Sequence, residues 1–426
     1  MYAVVKKPAP IASDSYRNIT LASLIAVGIV LVFWVIKRSA AYIGVPPLWG
    51  GEISLIILSA VFLRWKTVAP FLRNTVGLLV LSFIVLPIPF VLLGYTQWGL
   101  QALEDYAVFY YAIFIFFGYA AVSNEKTQNF FIRMIYFGIV LNSLHFILAR
   151  IFPLQEIAPK INDVALLGHN DSCYIYYSFG LAYALIFGSQ LKFHSQLILW
   201  ASIIIPYLIH FERAPILGFS AVVMILLFHR NVWYSGFDNR RFITIMAVLL
   251  LIAVLATAVA SYVPDLKVKE KFDMQKELVL SIFGWSSELK ERDGTREHRL
   301  QMWDEVWHDT LEKNLLFGQG FGHELTDVEF RHPHNSFVTI LGRLGLLGLF
   351  ISIGIYIVFP LAALMRLGKL INKQHQRQLL LYCCFWPAFL SGALFSPTLE
   401  APYSALVCNF IFGVFLRNYE TATQRA

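Results

Sequence analysis

Residues 18–36 read NITLASLIAVGIVLVFWVI and contain no charged side chain. Their length matches the ~20 residues that a helix needs to cross a hydrocarbon core about 30 Å thick. Residues 242–263, FITIMAVLLLIAVLATAVASYV, form a second run of the same kind. Because both runs are continuously apolar rather than alternating, they predict spanning helices instead of the strands of a membrane barrel.

The composition of the whole chain agrees with a membrane protein. Of its 426 residues, 58% are hydrophobic and 14% are charged, and the mean hydropathy is +0.62. A soluble domain carries about 25% charged residues, so this chain has too few charges to cover a water-facing surface. The first apolar run is long for the core of a signal peptide and has no clear cleavage site, so we expect a retained helix. The four cysteines lie in apolar segments and form neither a CxxC zinc pattern nor a disulfide framework.

A hydropathy window of ~19 residues predicts an all-α polytopic membrane protein with about twelve transmembrane helices. The predicted spans are 19–36, 44–63, 75–94, 100–122, 131–151, 172–189, 196–211, 214–229, 242–262, 336–365, 377–395 and 401–417. The short loops on one side of these spans hold most of the Lys and Arg residues. Since such loops stay in the cytoplasm, both termini are predicted to be cytoplasmic. The net charge of +7 therefore requires no nucleic-acid partner.

This topology divides the chain into three parts. Spans 1–9 occupy residues 1–262, a loop domain on the outer face occupies 263–333, and spans 10–12 occupy 334–426. Within the loop, apolar residues at helical spacing predict a helix from Thr295 to Lys313. These residues are Leu300, Trp303, Trp307 and Leu311.

Three arginines, Arg292, Arg296 and Arg299, would share one face of that helix if it extended further back. Converging guanidinium groups suit a phosphate-containing ligand because their forked donors bind two oxygens at once. On a solvated helix the same arginines would instead pair with neighbouring carboxylates. The sequence leaves both interpretations open.

A further arginine, Arg213, lies in the sequence FERAP at 211–215, where two apolar segments meet. Ionisable residues at membrane depth are rare and usually face a cavity or a partner. Arg213 could therefore bind a ligand, or it could extend to the interface and pair with Glu212.

The sequence FRHPHNSFVTILGRLGLLGLF at 330–350 crowds Arg331, His332 and His334 against a predicted span. Asn335 or Ser336 can cap the helix that begins here. A neutral imidazole is a competent general base, and a helix N-terminus attracts an anion. A zinc site using His323, His332 and His334 is a weaker alternative because the spacing fits no compact ligand motif. The glycines that follow predict close helix packing.

Several other ionisable residues lie within or near predicted spans. Arg343 in particular needs a carboxylate or a wet cavity at its depth. The ionisable residues near the membrane, besides Arg213, are Glu52, Glu104, Asp105, Asp171, Arg343 and Glu400.

Two stretches, GTREHRLQMWDEVWHDTLEKNLLFGQGFG at 294–322 and HPHNSFVTILGRLGLLGL at 332–349, resemble the C-terminal signature of bacterial O-antigen ligases and O-antigen polymerases. The resemblance rests on an Arg four residues before a Trp, a Gly-x-Gly turn, a His-Asn pair and a Gly-Leu-Leu-Gly segment. The matching positions are Arg299, Trp303, Gly318-x-Gly320, His334-Asn335 and Gly345–Gly348. The FERAP sequence is similar to an arginine motif of the same family. Arg343 departs from the pattern, because many members have an acidic residue at that position.

The resemblance implies an inverting, metal-independent glycosyltransferase of the bacterial inner membrane that uses no cofactor. It would move O-antigen from undecaprenyl pyrophosphate to a sugar hydroxyl of lipid A-core on the periplasmic face. His334 would act as the general base, and Arg213 and Arg299, with Arg296 as a weaker candidate, would bind the pyrophosphate. His332 and Arg331 are second choices.

A polymerase that extends the lipid-linked polysaccharide is the main alternative. A protein O-oligosaccharyltransferase and a polytopic transporter or flippase are further alternatives. A transporter would be expected to have inverted repeats and broken helices at the membrane midplane.

Overall fold

The computed structural model describes residues 20–45, 48–152, 154–161, 164–165, 167, 173–209, 213–233, 244, 293–326 and 333–424. The predicted ninth span at 242–262, apart from Thr244, and residues 263–292 of the predicted loop domain lie outside the described residues. The described part is built from helices, which confirms the all-α fold class. Its one strand pair is a two-residue antiparallel ladder in which Lys160 pairs with Ala165.

Most of the helices overlap the predicted spans, and five lie outside them, namely Arg38–Ala41, Trp65–Leu72, Leu154–Ile157, Arg230–Trp233 and Asp293–Asn314. The bounds of the helices are Leu21–Ile36, Arg38–Ala41, Gly50–Phe62, Trp65–Leu72, Thr75–Val85, Ile88–Trp98, Leu100–Asp105, Ala107–Tyr110, Ile113–Ala121, Glu125–Ile151, Leu154–Ile157, Cys173–Phe187, Phe193–Ile209, Arg213–Phe228, Arg230–Trp233, Asp293–Asn314, Ser336–Ile353, Phe359–Leu367, Lys373–Phe395 and Pro402–Gln424. A 3₁₀ turn at Gly188–Gln190 and a π-helical turn at Gly354–Val358 complete the set, and the strands are Lys160–Ile161 and Val164–Ala165.

Four helices of the described part are long and apolar enough to cross a membrane. They are Thr75–Trp98, Glu125–Ala149, Ser336–Leu367 and Lys373–Phe395. The number rises to six if two bent pairs each count as one span, Gly50–Phe62 with Trp65–Leu72 and Leu100–Tyr110 with Ile113–Ala121. These helices support a polytopic membrane protein, while the total of twelve spans stays a prediction.

Each of these four long helices begins directly after an asparagine. The side-chain Oδ1 atoms of Asn74, Asn124, Asn335 and Asn372 accept backbone N–H groups of the first turn at 2.8–3.0 Å. The first N–H groups of a helix have no partner within the helix, and an asparagine cap satisfies them. The sequence therefore marks the starts of these helices locally.

Close helix contact depends on small residues. A Cβ atom at Gly118 would overlap the carbonyl oxygen of Phe410, and a Cβ atom at Gly413 would overlap that of Ile115. Helices Ile113–Ala121 and Pro402–Gln424 thus approach backbone to backbone, the contact that small residues allow between membrane helices.

Candidate active site

The helix Asp293–Asn314, here called the loop helix, confirms the helix predicted from Thr295 to Lys313. The side chains that it buries differ from the predicted apolar stripe. Met302, Val306 and Thr310 are fully buried, and Val306 packs against the Gly342 backbone. Of the predicted stripe, Leu300, Trp307 and Leu311 are nearly half exposed, while Trp303 is partly buried. Periodicity identified the helix but not the face that packs on the protein.

The helix Ser336–Ile353, here called the broken helix, begins where the sequence predicts. Asn335 is its cap, since its Oδ1 atom accepts the N–H groups of Phe337 and Val338 at 3.0 and 3.2 Å. Ser336 does not act as the cap. Its hydroxyl donates to Oε2 of Glu400 at 2.5 Å and accepts the N–H of Leu399 at 3.1 Å.

His334 lies two residues before the broken helix with a φ of 51°, an unusual value for a residue other than glycine. The imidazole is half-buried, and this burial lowers its pKa below the ordinary value of 6.5. The positive charge of Arg299 and the neighbouring His298 lower the pKa further. Since desolvation and nearby cations both disfavour imidazolium, His334 is neutral at neutral pH and can accept a proton.

The loop helix is fixed against the segment that carries His334. The indole Nε1 of Trp303 donates to the carbonyl oxygen of Pro333 at 2.8 Å, one residue before His334. One turn earlier on the same helix, Nη1 of Arg299 donates to the carbonyl oxygen of Phe395 at 3.3 Å. Arg299 therefore lies between the start of the broken helix and the end of helix Lys373–Phe395.

The helix Arg213–Phe228 brings a second predicted arginine to this region. A Cβ atom at Gly218 would lie 2.8 Å from Oγ of Ser391, and Nε of Arg377 donates to the carbonyl oxygen of Val232 at 3.3 Å. From Gly218 to Val232 the chain advances by as many residues as it goes back from Ser391 to Arg377. The two segments therefore run antiparallel with a constant register. The same register brings the Arg213 backbone level with the end of helix Lys373–Phe395, where Arg299 binds.

The other predicted site residues are described less completely. The backbone of Arg296 lies one turn before Arg299 on the loop helix. Arg331 and His332 lie outside the described residues, as does Arg292. The structure thus brings His334 and Arg299 together and sets the Arg213 backbone at the same end of the helices.

Glu400 is a residue that the sequence flagged only as ionisable near the membrane. It is partly buried, and the loss of solvation raises the pKa of its carboxyl group, while hydrogen bonds from Ser336 and Thr339 oppose the rise. Through Ser336 it joins the start of the broken helix to the loop between the last two helices. Its position directly before a predicted span was the available signal. The residues predicted from the sequence also did not include His298, which precedes Arg299 and contributes to the lowered pKa of His334.

The broken helix has a genuine interruption. Leu344 and Gly345 have non-helical backbone angles, and Gly345 has a φ of 61°. The segment 315–319 fills this gap with backbone hydrogen bonds, two of which join the N–H groups of Leu346 and Leu347 to the carbonyl oxygens of Leu315 and Leu316 at 2.9 and 3.2 Å. The glycines expected to allow packing thus admit the backbone of a turn into the middle of a helix.

Arg343, next to this break, has Asp105 as its carboxylate partner. Their Nη2 and Oδ2 atoms are 2.9 Å apart and both side chains are fully buried. Nη1 of Arg343 donates to the carbonyl oxygen of Gly320 at 3.2 Å, and Asp105 accepts the N–H of Gly322 at 2.7 Å. The ion pair therefore also holds the Gly-x-Gly turn. His323, beside it, is 3.4 Å from Oε1 of Gln319 and belongs to this cluster.

Residues 197–353 match the family model described as O-antigen ligase. The matched range contains the helix that begins at Arg213, the loop helix, His334 and the whole broken helix. Among proteins of curated function, none matches the chain. The family match confirms the resemblance to the O-antigen ligase and polymerase superfamily, and supports a glycosyltransferase-like enzyme of a bacterial membrane that acts on lipid-linked glycans.

Proposed function

We propose, on the premise that residues 197–353 form an O-antigen ligase domain, that the chain transfers O-antigen from undecaprenyl pyrophosphate to a sugar hydroxyl of lipid A-core. The reaction would take place at the periplasmic face of the bacterial inner membrane. The proposal includes the predicted topology, in which the chain has twelve membrane spans and both termini are in the cytoplasm. His334, Arg299 and Arg213 then lie at the periplasmic end of the helices.

In the proposed reaction, Nδ1 or Nε2 of His334 takes the proton of the acceptor hydroxyl as its oxygen attacks the anomeric carbon. The bond from that carbon to the pyrophosphate oxygen breaks, and undecaprenyl pyrophosphate leaves with the electron pair. A direct displacement of this kind inverts the anomeric configuration. The step needs no metal or cofactor, because the donor is already activated by its leaving group.

The arginines would stabilise the charge that develops on the pyrophosphate. A guanidinium group at a water-poor site binds phosphate oxygens bidentately and favours the anionic leaving group. Arg299 and Arg213 are the main candidates, and Arg296 is a third. Burial is the main cause that lowers the pKa of His334, and the charge of Arg299 lowers it further.

The observation that carries the proposal is the convergence of His334 with Arg299. A base with a lowered pKa and an anion-binding group meet at a helix N-terminus, which itself favours negative charge. This pairing suits a reaction in which a hydroxyl loses a proton while a pyrophosphate gains charge. A transporter would not require it.

The O-antigen polymerase is the second candidate, since the same chemistry would serve with a lipid-linked glycan as acceptor. The family match includes both activities in its superfamily, and we favour the ligase because one loop of about 70 residues before the last spans is typical of it. A gel of the lipopolysaccharide from a deletion strain separates them. Loss of O-antigen from the core with the lipid-linked polymer retained indicates the ligase, and a pattern of single repeats indicates the polymerase.

The role of His334 is tested by complementing that strain with His334→Ala. We expect loss of transfer at a normal level of membrane-inserted protein. His308→Ala is the matched control, because His308 lies on the exposed face of the loop helix and pairs with Asp304 at 3.3 Å. Full activity of His334→Ala would eliminate the general-base assignment.

A further inference from the structure

Within the part of the chain that the structure describes, the loop helix has a second apolar face that is nearly half exposed. Leu300, Trp307 and Leu311 are 47%, 43% and 42% exposed. At 100° per residue they lie within about 40° of one another around the helix axis. We call them the lateral face. The buried residues Met302, Val306 and Thr310 lie on a separate face, whose centre is about 120° away.

The third face of the loop helix is polar. Nε2 of Gln301 donates to Glu305 Oε1 at 3.1 Å, and both belong to this face, as do exposed His308 and Glu312. The helix therefore has a protein-facing side, an apolar side and a polar side at intervals of about 120°. Exposed Asp304, which pairs with His308 at 3.3 Å, marks the border between the apolar and the polar side. A helix in a purely aqueous environment needs only one apolar side, the one that it buries.

The turn after the loop helix continues the lateral face down to a candidate span. The ring of Phe317 stacks on that of Phe90 with 5.5 Å between the ring centroids. Phe90 belongs to the candidate span Thr75–Trp98, in which Leu92 and Leu93 are 61% and 64% exposed. Leu316, beside Phe317, is 52% exposed. Exposed apolar side chains therefore extend from a candidate span through this turn to the loop helix.

We propose that the lateral face of the loop helix rests in the lipid bilayer, in the leaflet nearest His334. The helix lies in the interface, with Leu300, Trp307 and Leu311 in contact with lipid and the polar face in water. Helices of this kind bury their apolar side at the boundary between headgroups and acyl chains. Trp307 suits this depth because its amphipathic ring favours the membrane–water interface. The proposal concerns lipid contact and does not depend on the proposed reaction.

Adjacent residues of the loop helix provide a test with built-in controls. Leu300→Cys and Leu311→Cys place a thiol on the lateral face, while Gln301→Cys and Glu312→Cys place one on the polar face at nearly the same height. Each full-length variant is labelled with an environment-sensitive fluorophore and reconstituted in phospholipid nanodiscs. The unaltered protein, treated identically, measures background labelling of its native cysteines, three of which are fully buried.

Two quenchers then distinguish the environments. We expect lipids with a nitroxide near the headgroup to quench the labels at 300 and 311, and aqueous iodide to quench those at 301 and 312. Equal iodide quenching at all four positions would overturn the proposal, because the lateral face would then be in water. Protection of 300 and 311 from both quenchers would also overturn it. A second copy of the chain, or its own residues 263–292, would then cover the face.

Discussion

The buried ion pair between Asp105 and Arg343 permits a quantitative test. Replacing Asp105 by Asn removes the carboxylate that lies 2.9 Å from the buried guanidinium group of Arg343, and weakens the hold on the N–H of Gly322. Removing one partner of a buried pair typically costs about 3–5 kcal/mol, most of it from the charge left behind. We expect Asp105→Asn to lower the free energy of unfolding by about that amount.

The double variant shows whether this cost comes from the pair. Arg343→Met alone is expected to destabilise the protein, whereas Asp105→Asn with Arg343→Met leaves no uncompensated charge and should lose much less than the sum. A coupling of about 2 kcal/mol or more is expected for groups in direct contact. The pair Lys313–Asp309 is a matched control with the same 2.9 Å separation but half-exposed side chains. Asp309→Asn should therefore cost less than about 1 kcal/mol.

Thiol reactivity gives a direct measure of unfolding. Cys383, Cys384 and Cys408 are fully buried, so that they react with a maleimide only when the helix bundle opens. Their reactivity along a denaturant titration, in detergent, reports the free energy of unfolding of each variant. Strict additivity of the two single substitutions would refute the reasoning, because it would mean that the two charges do not stabilise each other.

Three further substitutions test the site and the helix break. Arg299→Gln should raise the pKa of His334, because a nearby cation no longer disfavours its protonation. Since the neutral imidazole is the active form, the acidic limb of the pH–rate profile should move to higher pH. Glu400→Ala should lower kcat of glycan transfer and leave the KM for the donor nearly unchanged, because Ser336 loses the hydrogen-bond acceptor that fixes the start of the broken helix. Glu400→Gln keeps an acceptor and should restore most of kcat. Gly345→Ala should lower the free energy of unfolding by more than about 1 kcal/mol in the thiol assay, since its φ of 61° is strained for a residue with a Cβ atom.

Each of these substitutions has a control in the same chain. Arg299→Lys keeps the positive charge, so an unchanged acidic limb is expected. A limb that stays in place for Arg299→Gln as well would exclude His334 as the titrating base. Gly368→Ala should leave stability nearly unchanged, because Gly368 has a φ of −68° and open space around its Cβ position. Equal effects of Gly368→Ala and Gly345→Ala would contradict the role of the break.

Local sequence was sufficient to predict the helix boundaries near the site. The cap at Asn335 and the periodicity from Thr295 to Lys313 depend on neighbouring residues alone, and both predictions are confirmed. Ser336 has the residue type of a cap, but a distant carboxylate competes for its hydroxyl. The competition is decided by Glu400, 64 residues further along the chain, which local rules do not include.

Long-range pairing is the part that the sequence did not determine. The depth of Arg343 indicated a need for a carboxylate, yet five acidic residues near predicted spans were candidates. The tertiary contacts of Asp105 with Arg343 and with the N–H of Gly322 select it from the five. The faces of the loop helix have the same origin, because two apolar stripes on one helix satisfy periodicity equally well and the tertiary contact chooses between them.

The backbone segment that fills the break in the broken helix also constrains how the chain can change in length. Its carbonyl groups at Leu315 and Leu316 are paired one by one with N–H groups beyond Gly345. Inserting or deleting one residue between 315 and 322 would displace every pair and the turn that Arg343 holds. Surface connections usually tolerate such changes. Among natural relatives, we therefore expect the chain length between these positions to be constant, and insertions to accumulate between 323 and 332 instead.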